Sequence, residues 1–213
     1  MRTANGWSMA TDFPLDLHAA MFVRDALALD PAGDQAPGPL LGPLPDLRAV
    51  LPMGRRDHHQ ASQSWAAWWT RLVQAHLRMA EEPGLGFGPV FEVYDPPLFR
   101  SLAADQALQS AAGLAEGPFR TWWHGPGPEW GGMSGRLIER LHTGEMLEHE
   151  AVQAVQRRRG RAVRSFHVAI DVLAVEGTGA WPVAERYALV AVGLRDDRAA
   201  YRAWLEPIVE RLA

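Results

Sequence analysis

Apolar residues recur at spacings of three and four over long stretches of the chain, a pattern typical of amphipathic helices. Residues 15–29 form the first such stretch, and residues 57–82 form the longest. In the longer stretch, Trp65, Trp68 and Trp69 share one apolar stripe that continues beyond them. We therefore expect these tryptophans to anchor the core, with an aromatic ligand platform or a partner surface as the alternatives. The pattern also predicts helices over 98–114 and 136–159, and Gly144 is a point at which the latter helix could break.

The period of the apolar residues changes to two in the last third of the chain. Phe166, Val168, Ile170 and Val172 alternate with a set that includes polar residues, which is typical of a half-buried antiparallel strand. Residues 185–194 are expected to return as a second strand, and residues 88–94 form another candidate. The prediction is an α+β fold, in which a small antiparallel sheet with strands near 88–94, 163–175 and 185–194 packs against several amphipathic helices.

Proline and glycine mark the irregular parts of the chain. They are concentrated in residues 30–56 and 117–135, where proline disfavours both helix and sheet ladders. A single amphipathic helix before the first of these segments cannot form its own core, so we expect one domain over residues 1–213. Residues 1–11 are expected to form a flexible N-terminus.

Composition excludes several kinds of site. The 213 residues include no cysteine, which excludes disulfides, thiolate zinc sites and a cysteine nucleophile. All 21 basic residues are arginine, so Schiff-base chemistry and a P-loop lysine are excluded as well. The net charge of −4 does not favour nucleic acid as a partner. We find neither a secretory signal nor a membrane-length apolar run and expect a soluble cytoplasmic protein without a membrane partner.

Two histidines and a glutamate form the best metal candidate. At 100° per residue, His142, Glu145 and His149 share one sector of a continuous helix. Two imidazoles and a carboxylate on adjoining turns could hold zinc, iron or manganese. A solvated face with His–Glu pairs explains the same pattern, and no motif of known ligand spacing is matched. The sequence therefore favours no metal or other cofactor.

Three other side chains are candidates for acid–base chemistry. Glu148 falls inside an apolar stripe, so its carboxyl group would have to pair, bind a metal or have a raised pKa. A structural ion pair with arginine or histidine is the more economical interpretation. His167 and Asp171 share the polar face of one predicted strand, but their spacing prevents direct contact. They could line a concave site, or they could lie on a sheet face that is wet or covered by a helix.

An arginine cluster ends the helix predicted over 136–159. Arg157, Arg158 and Arg159 precede Gly160, and the cluster continues to Arg164. A phosphate or nucleic-acid site is one interpretation. The other is helix termination, because cations complement the negative end of the helix dipole and glycine fits the left-handed position after it. We favour helix termination.

The aromatic residues around position 125 are the strongest candidates for partner binding. Trp122, Trp123, His124 and Trp130 lie in a stretch rich in glycine and proline, so we expect a surface loop, a lid, or a plug whose indoles enter the core. In the absence of a catalytic motif, the sequence favours a non-enzymatic interaction protein: a subunit, an adaptor or a chaperone-like module. It would bind another protein, or a second copy of itself, through this aromatic loop or a sheet face. One alternative is a small enzyme with a His/Glu site, such as a metal-dependent hydrolase. The other is a phosphate or nucleic-acid binder that uses the Arg157–Arg164 cluster.

Overall fold

The computed structural model describes residues 6–30, 36–125, 132–143 and 146–213. Helices and a small sheet alternate in this part of the chain, which gives an α+β fold, as the hydrophobic pattern predicts. The helices are α1 (Leu15–Ala26), α2 (Arg55–Glu81), α3 (Gly88–Phe91), α4 (Gln106–His124), α5 (Met133–Thr143), α6 (Leu147–Arg159), α7 (Val192–Asp196) and α8 (Arg198–Leu212). The strands are β1 (Ser8–Asp12), β2 (His167–Leu173), β3 (Ala180–Ala184) and β4 (Tyr187–Ala191).

The sheet is mixed rather than antiparallel. Its strand order is β1-β2-β4-β3. β2 lies at its centre and pairs in parallel with both β1 and β4. Only the β3–β4 pairing is antiparallel among the described strands. The prediction of an antiparallel sheet was wrong because it lacked β1 and β3, and because it treated β2 and β4 as a hairpin.

The predicted strand near 88–94 is a short helix followed by a turn. Pro89 stands at the start of α3, where a missing N–H is tolerated. Val90, Val93 and Tyr94 are buried, while Phe91 is exposed. The buried residues are three and four positions apart, as on one face of a helix. This helical spacing outweighs the β propensity of valine and tyrosine.

The N-terminal residues form a strand where the sequence suggested flexibility. Residues 8–12 are β1, which pairs with β2 from Ser8↔His167 to Asp12↔Asp171. Trp7 and Met9 are buried in the core. The expected flexible stretch 1–11 is thus ordered from residue 6, and residues 1–5 lie outside the described ranges.

The segment predicted to be irregular over 117–135 is helical at both ends. α4 begins later than predicted, at Gln106, and continues through Pro118 to His124, and α5 begins at Met133. The apolar spacing from Ala115 to Phe119 and Trp123 explains the extension, because all three side chains are buried on one face of α4. In the first predicted irregular segment, 30–56, α2 already begins at Arg55.

The predicted helix over 136–159 consists of two elements. α5 ends at Thr143 and α6 begins at Leu147. Gly160 closes α6 in the left-handed conformation, with φ = 63°, and its N–H donates to the carbonyl of Arg157. This is the helix terminus that the Arg–Gly pattern indicates.

Helices cover both faces of the sheet. On one face, Asp171 of β2 contacts His76 of α2. Adjacent strand residues point to opposite faces, and Thr11 of β1, on the other face, donates a hydrogen bond to Glu148 of α6 at 3.3 Å. α1 and α2 therefore lie on one side of the sheet, and α6 lies on the other with α8, which α6 contacts closely.

The longest helix supplies the centre of the core, as its tryptophans predict. Trp65, Trp68 and Trp69 are all buried, and the rings of Trp65 and Trp69 stack at a centroid distance of 5.7 Å. The Trp65 indole donates to the carbonyl of Ala20 at 2.6 Å, which joins α2 to α1. Across the described ranges, no helix combines the length and hydrophobicity that a bilayer-spanning segment needs.

Candidate functional site

An apolar surface lies just beyond the end of α2. Phe87 and Phe91 are 59% and 68% exposed, and their ring centroids lie 6.4 Å apart. Leu85 and Leu98, in the same segment, are exposed as well. We call these four residues the Phe87 surface. Large apolar side chains that are exposed together in one segment often mark an interaction site.

The Phe87 surface rests on a well-packed platform. Val90, Tyr94 and Phe99 are buried beneath it. The Trp68 indole donates to the carbonyl of Val93 at 3.3 Å, and the Phe99 ring meets that indole edge-on. Because these contacts hold the backbone of the segment against the core, the two phenyl rings lie on the outside before any partner arrives, and binding does not require the backbone to become ordered.

Acidic residues are close to the Phe87 surface in sequence. Residues 81–99 contain four acids and no basic residue; the acids are Glu81, Glu82, Glu92 and Asp95. Arg78 contacts Glu92 at 3.6 Å, and Arg100 contacts Asp95 at 2.6 Å. Glu81 and Glu82 are exposed at the end of α2. A partner with basic residues beside its apolar anchor would complement this charge.

A buried cluster of charged residues joins α1, α2 and β2. In the ionised cluster, His76 Nε2 donates to Asp16 at 2.9 Å and His76 Nδ1 donates to Asp171 at 3.0 Å. The Tyr187 hydroxyl also donates to Asp171, at 2.7 Å. Burial lowers the pKa of His76, but its hydrogen bonds to the two carboxylates outweigh burial and raise that pKa to about 10.

The geometry of the His76 cluster suits a structural role. Both ring nitrogens of His76 are committed to carboxylates, and a pKa of about 10 keeps the ring charged near neutral pH. A general acid or base works best with a pKa near the working pH. The cluster therefore connects two helices to the sheet through a histidine that stays protonated at pH 7.

A second buried histidine is held in the neutral form. His18 Nδ1 donates to the carbonyl of Pro14 at 2.7 Å, and the N–H of Ala174 donates to His18 Nε2 at 3.0 Å. Burial lowers the pKa of His18 to about 4. The ring thus links α1 to the chain after β2 and does not titrate near neutral pH.

Glu148 is buried in an ion pair on the other face of the sheet. Its carboxylate accepts hydrogen bonds from Arg195 at 3.2 Å and from the Tyr201 hydroxyl at 2.9 Å. Thr11 of β1 is the third donor. These contacts match the structural ion pair favoured from the sequence, and they join α6, α7, α8 and β1.

The tryptophans predicted to bind a partner lie mainly against the core. Trp123 is buried, with its ring 4.5 Å from that of His18. Trp122 is partly buried and packs against Phe22 at 5.8 Å. His124 is exposed at the end of α4, and Trp130 lies outside the described residues. Trp122 and Trp123 therefore occupy the position of a core plug rather than an open loop.

The proposed metal ligands fall largely outside the described side chains. Glu145 lies in the undescribed stretch 144–145, and only the backbone of His142 is described. His149 is in α6, where its Nε2 lies 2.7 Å from the Gln153 amide and its ring is 5.7 Å from that of Trp7. Among the side chains that the structure does describe, no group of three or more His, Asp or Glu residues could hold a metal ion.

Two arginines of the cluster form contacts within the fold. Arg158 forms salt bridges with Glu206 and Glu210 of α8, and Arg159 donates to the C-terminal backbone oxygen of Ala213 at 2.8 Å. These two side chains dock α6 on α8. Arg157 precedes them in the same last turn, and Arg164 lies in the connection to β2.

His167 and Asp171 serve different parts of the molecule. Asp171 belongs to the His76 cluster, whereas the half-buried His167 Nδ1 lies 2.8 Å from the hydroxyl of Ser8. His167 also lines a cleft of about 340 Å³ between α2 and the β3–β4 turn. The structure does not bring the two predicted residues into one site.

The Phe87 surface and the His76 cluster could not be singled out from the sequence. Phe87 and Phe91 looked like the flank and centre of a strand, and an exposed phenyl ring has no sequence signature of its own. Asp16 and His76 are 60 residues apart and share no motif. Both residues lie on the apolar faces of predicted helices. Because a buried charge requires a partner, these positions could have indicated that the two side chains pair.

Comparison with known proteins adds no relationship to this geometry. The chain matches no family model, and neither the curated proteins nor the solved structures include a significant match.

Proposed function

We propose that this protein binds a protein partner through the Phe87 surface. The observation that supports the proposal is the pair of exposed and neighbouring phenyl rings of Phe87 and Phe91, in a segment whose other side is buried. The partner contributes an apolar anchor flanked by basic residues. Its apolar part covers the two rings, and its basic flank faces Glu81 and Glu82.

The energetics of the two rings support an anchoring role. Burial of a phenylalanine side chain is worth about 1.5–3 kcal/mol, and aromatic residues at the centre of interfaces are frequent hot spots. Exposure of both rings has a cost in solubility that a bound partner would remove. Acidic charge around the rings adds specificity and association rate more than affinity.

The other surfaces considered for partner binding are less accessible. Trp123 is buried, Trp122 is partly buried, and helices lie on both sides of the sheet. Arg158 is paired with two glutamates of α8. Among the described residues, we therefore place the partner site at the Phe87 surface and not at the aromatic loop or a sheet face.

Titration with designed peptides tests the proposal. The probe is an amphipathic helical peptide that carries Phe and Leu anchors between arginine flanks, and a matched peptide carries glutamate flanks instead. Calorimetry is performed on the wild type, on Phe87→Ser/Phe91→Ser, and on the control Val50→Ser. Val50 is 67% exposed and lies in the connection before α2, outside the Phe87 surface.

We expect the arginine-flanked peptide to bind the wild type and Val50→Ser at least ten-fold more tightly than it binds the double variant. The glutamate-flanked peptide should bind the wild type at least ten-fold more weakly. Circular dichroism should show the same fold for all three proteins, because the replaced side chains are exposed. Equal affinity of the arginine-flanked peptide for all three proteins, or no binding to any of them, would overturn the proposal.

A further inference from the structure

The cleft beside α2 is lined from two sides. Leu77, Ala80 and Glu81 line it from the last turns of α2, where a spacing of three and four positions places them on one face. Glu185 and Arg186 line it from the turn between β3 and β4. Its volume of about 340 Å³ is at the lower end of the range for small-molecule sites. The cleft therefore suits a ligand as small as an amino acid.

The apolar lining of the cleft lies deeper than its charged groups. Leu77 and Ala80 are half-buried and Tyr187 is buried, whereas the charged residues of both sides are exposed. The Tyr187 hydroxyl is already engaged with Asp171 of the His76 cluster, which leaves its ring as the part available for contact. A ligand that fits this arrangement places an apolar group inside the cleft and keeps its charged groups at the mouth.

Charged side chains of both signs line the cleft without pairing. Within the described ranges, Glu81, Glu185 and Arg186 form neither salt bridges nor side-chain hydrogen bonds. The guanidinium of Arg186 lies near the His167 ring, because burial and then the positive charge of Arg186 lower the pKa of His167. A carboxylate beside Arg186 and an ammonium group beside the glutamates would each gain a charge-assisted partner.

We propose that the cleft binds a free α-amino acid with an apolar side chain. The carboxylate of the ligand pairs with Arg186, its ammonium group faces Glu81 and Glu185, and its side chain contacts the apolar lining. A simple carboxylic acid would meet the two glutamates, and a simple amine would meet the arginine, so a zwitterion is the ligand that complements both signs. This binding goes beyond the proposed partner site at the Phe87 surface, with which it shares only Glu81.

Isothermal titration calorimetry of the full chain with L-leucine tests the site, and three analogues separate its parts. Leucinamide lacks the carboxylate, 4-methylpentanoic acid lacks the ammonium group, and glycine lacks the apolar side chain. We expect L-leucine to bind the wild type about ten-fold or more tightly than each analogue, because each analogue loses one of the three contacts. The methyl NMR signals of Leu77 and Ala80 should shift during the titration, which locates the ligand in the cleft.

Variants of the charged residues assign each end of the ligand. Arg186→Gln should weaken L-leucine binding about ten-fold or more and leave the affinity for leucinamide unchanged, because leucinamide has no carboxylate to lose. Glu81→Gln/Glu185→Gln should weaken L-leucine binding similarly without weakening the binding of 4-methylpentanoic acid. Arg157→Gln is the matched control, since it replaces an exposed arginine of α6 outside the cleft and should bind L-leucine as the wild type does. All of the replaced side chains are exposed, so we expect the variants to fold.

Several outcomes would contradict an amino-acid site in the cleft. These are no binding of L-leucine at millimolar concentration, binding without shifts at Leu77 and Ala80, equal affinity for L-leucine and leucinamide, and an equal loss of affinity in Arg186→Gln and Arg157→Gln. The two proposals are tested separately. Phe87→Ser/Phe91→Ser should bind L-leucine as the wild type does, and Arg186→Gln should bind the arginine-flanked peptide as the wild type does.

Discussion

Replacement of His76 by leucine should cause a large loss of stability. The substitution leaves Asp16 and Asp171 buried without their shared cation, and removal of one partner from a buried ion pair costs about 3–5 kcal/mol. The raised pKa leads to a similar magnitude: a shift from 6.5 to about 10 corresponds to about 5 kcal/mol in favour of the charged form in the folded state. Urea unfolding followed by tryptophan fluorescence measures the loss. His59→Leu is the matched control, because His59 is exposed on the same helix.

The same cluster predicts how wild-type stability changes with pH. His76 holds its proton in the folded state at pH values where the unfolded chain releases it, so its contribution is full below pH 6.5 and is lost as the pH rises toward 10. The free energy of unfolding should fall by about 2–3 kcal/mol between pH 7 and pH 9. The chain contains neither lysine nor cysteine, so few other side chains titrate in this window.

Two results would refute this interpretation of the His76 cluster. The first is a loss below about 1 kcal/mol in His76→Leu, the range of an exposed ion pair. The second is a free energy of unfolding that stays constant from pH 7 to pH 9 in the wild type. The slope should also disappear in His76→Leu, because the titrating group is then absent.

The remaining predictions concern stability and the arginine cluster. Trp68→Ala should cost about 3–5 kcal/mol in urea unfolding, because the indole is fully buried, and a midpoint near that of the wild type would contradict its place in the core. His18 is neutral in the folded state, so the free energy of unfolding should also fall as the pH drops from 6.5 toward 4. If a folded His18→Gln variant loses the same amount over this range, other groups cause the fall. Arg158→Gln should lower the melting temperature slightly and leave filter binding of nucleic acid unchanged; a large loss of nucleic-acid affinity would instead support the phosphate-binding alternative.

Local periodicity was sufficient to predict the long helices and their buried faces. α1 and α2 begin and end within a few residues of the predicted bounds, and the tryptophan stripe of α2 enters the core. Gly160 ends α6 because the left-handed position excludes most other residues, a local effect that the sequence reveals directly. In each of these elements, the residues that decide the structure are neighbours along the chain.

Contacts between distant segments explain most of what could not be predicted. β1 is a strand because it pairs with β2, about 159 residues away, and its own five residues carry no strong strand pattern. Pairing of Asp16, His76 and Asp171 depends on the packing of two helices against a sheet. The Phe87 surface depends on which side of a four-residue helix faces the core, and a segment that short has no reliable periodicity.

Differential capture from the cells that produce the protein tests its proposed function most directly. The wild type, Phe87→Ser/Phe91→Ser and Val50→Ser are immobilised in parallel, and the bound proteins are quantified by mass spectrometry. We predict a protein that is enriched at least ten-fold on the wild type and on Val50→Ser over the double variant, and that binds through an apolar segment with basic flanks. The same set of bound proteins on all three would contradict a partner site at the Phe87 surface.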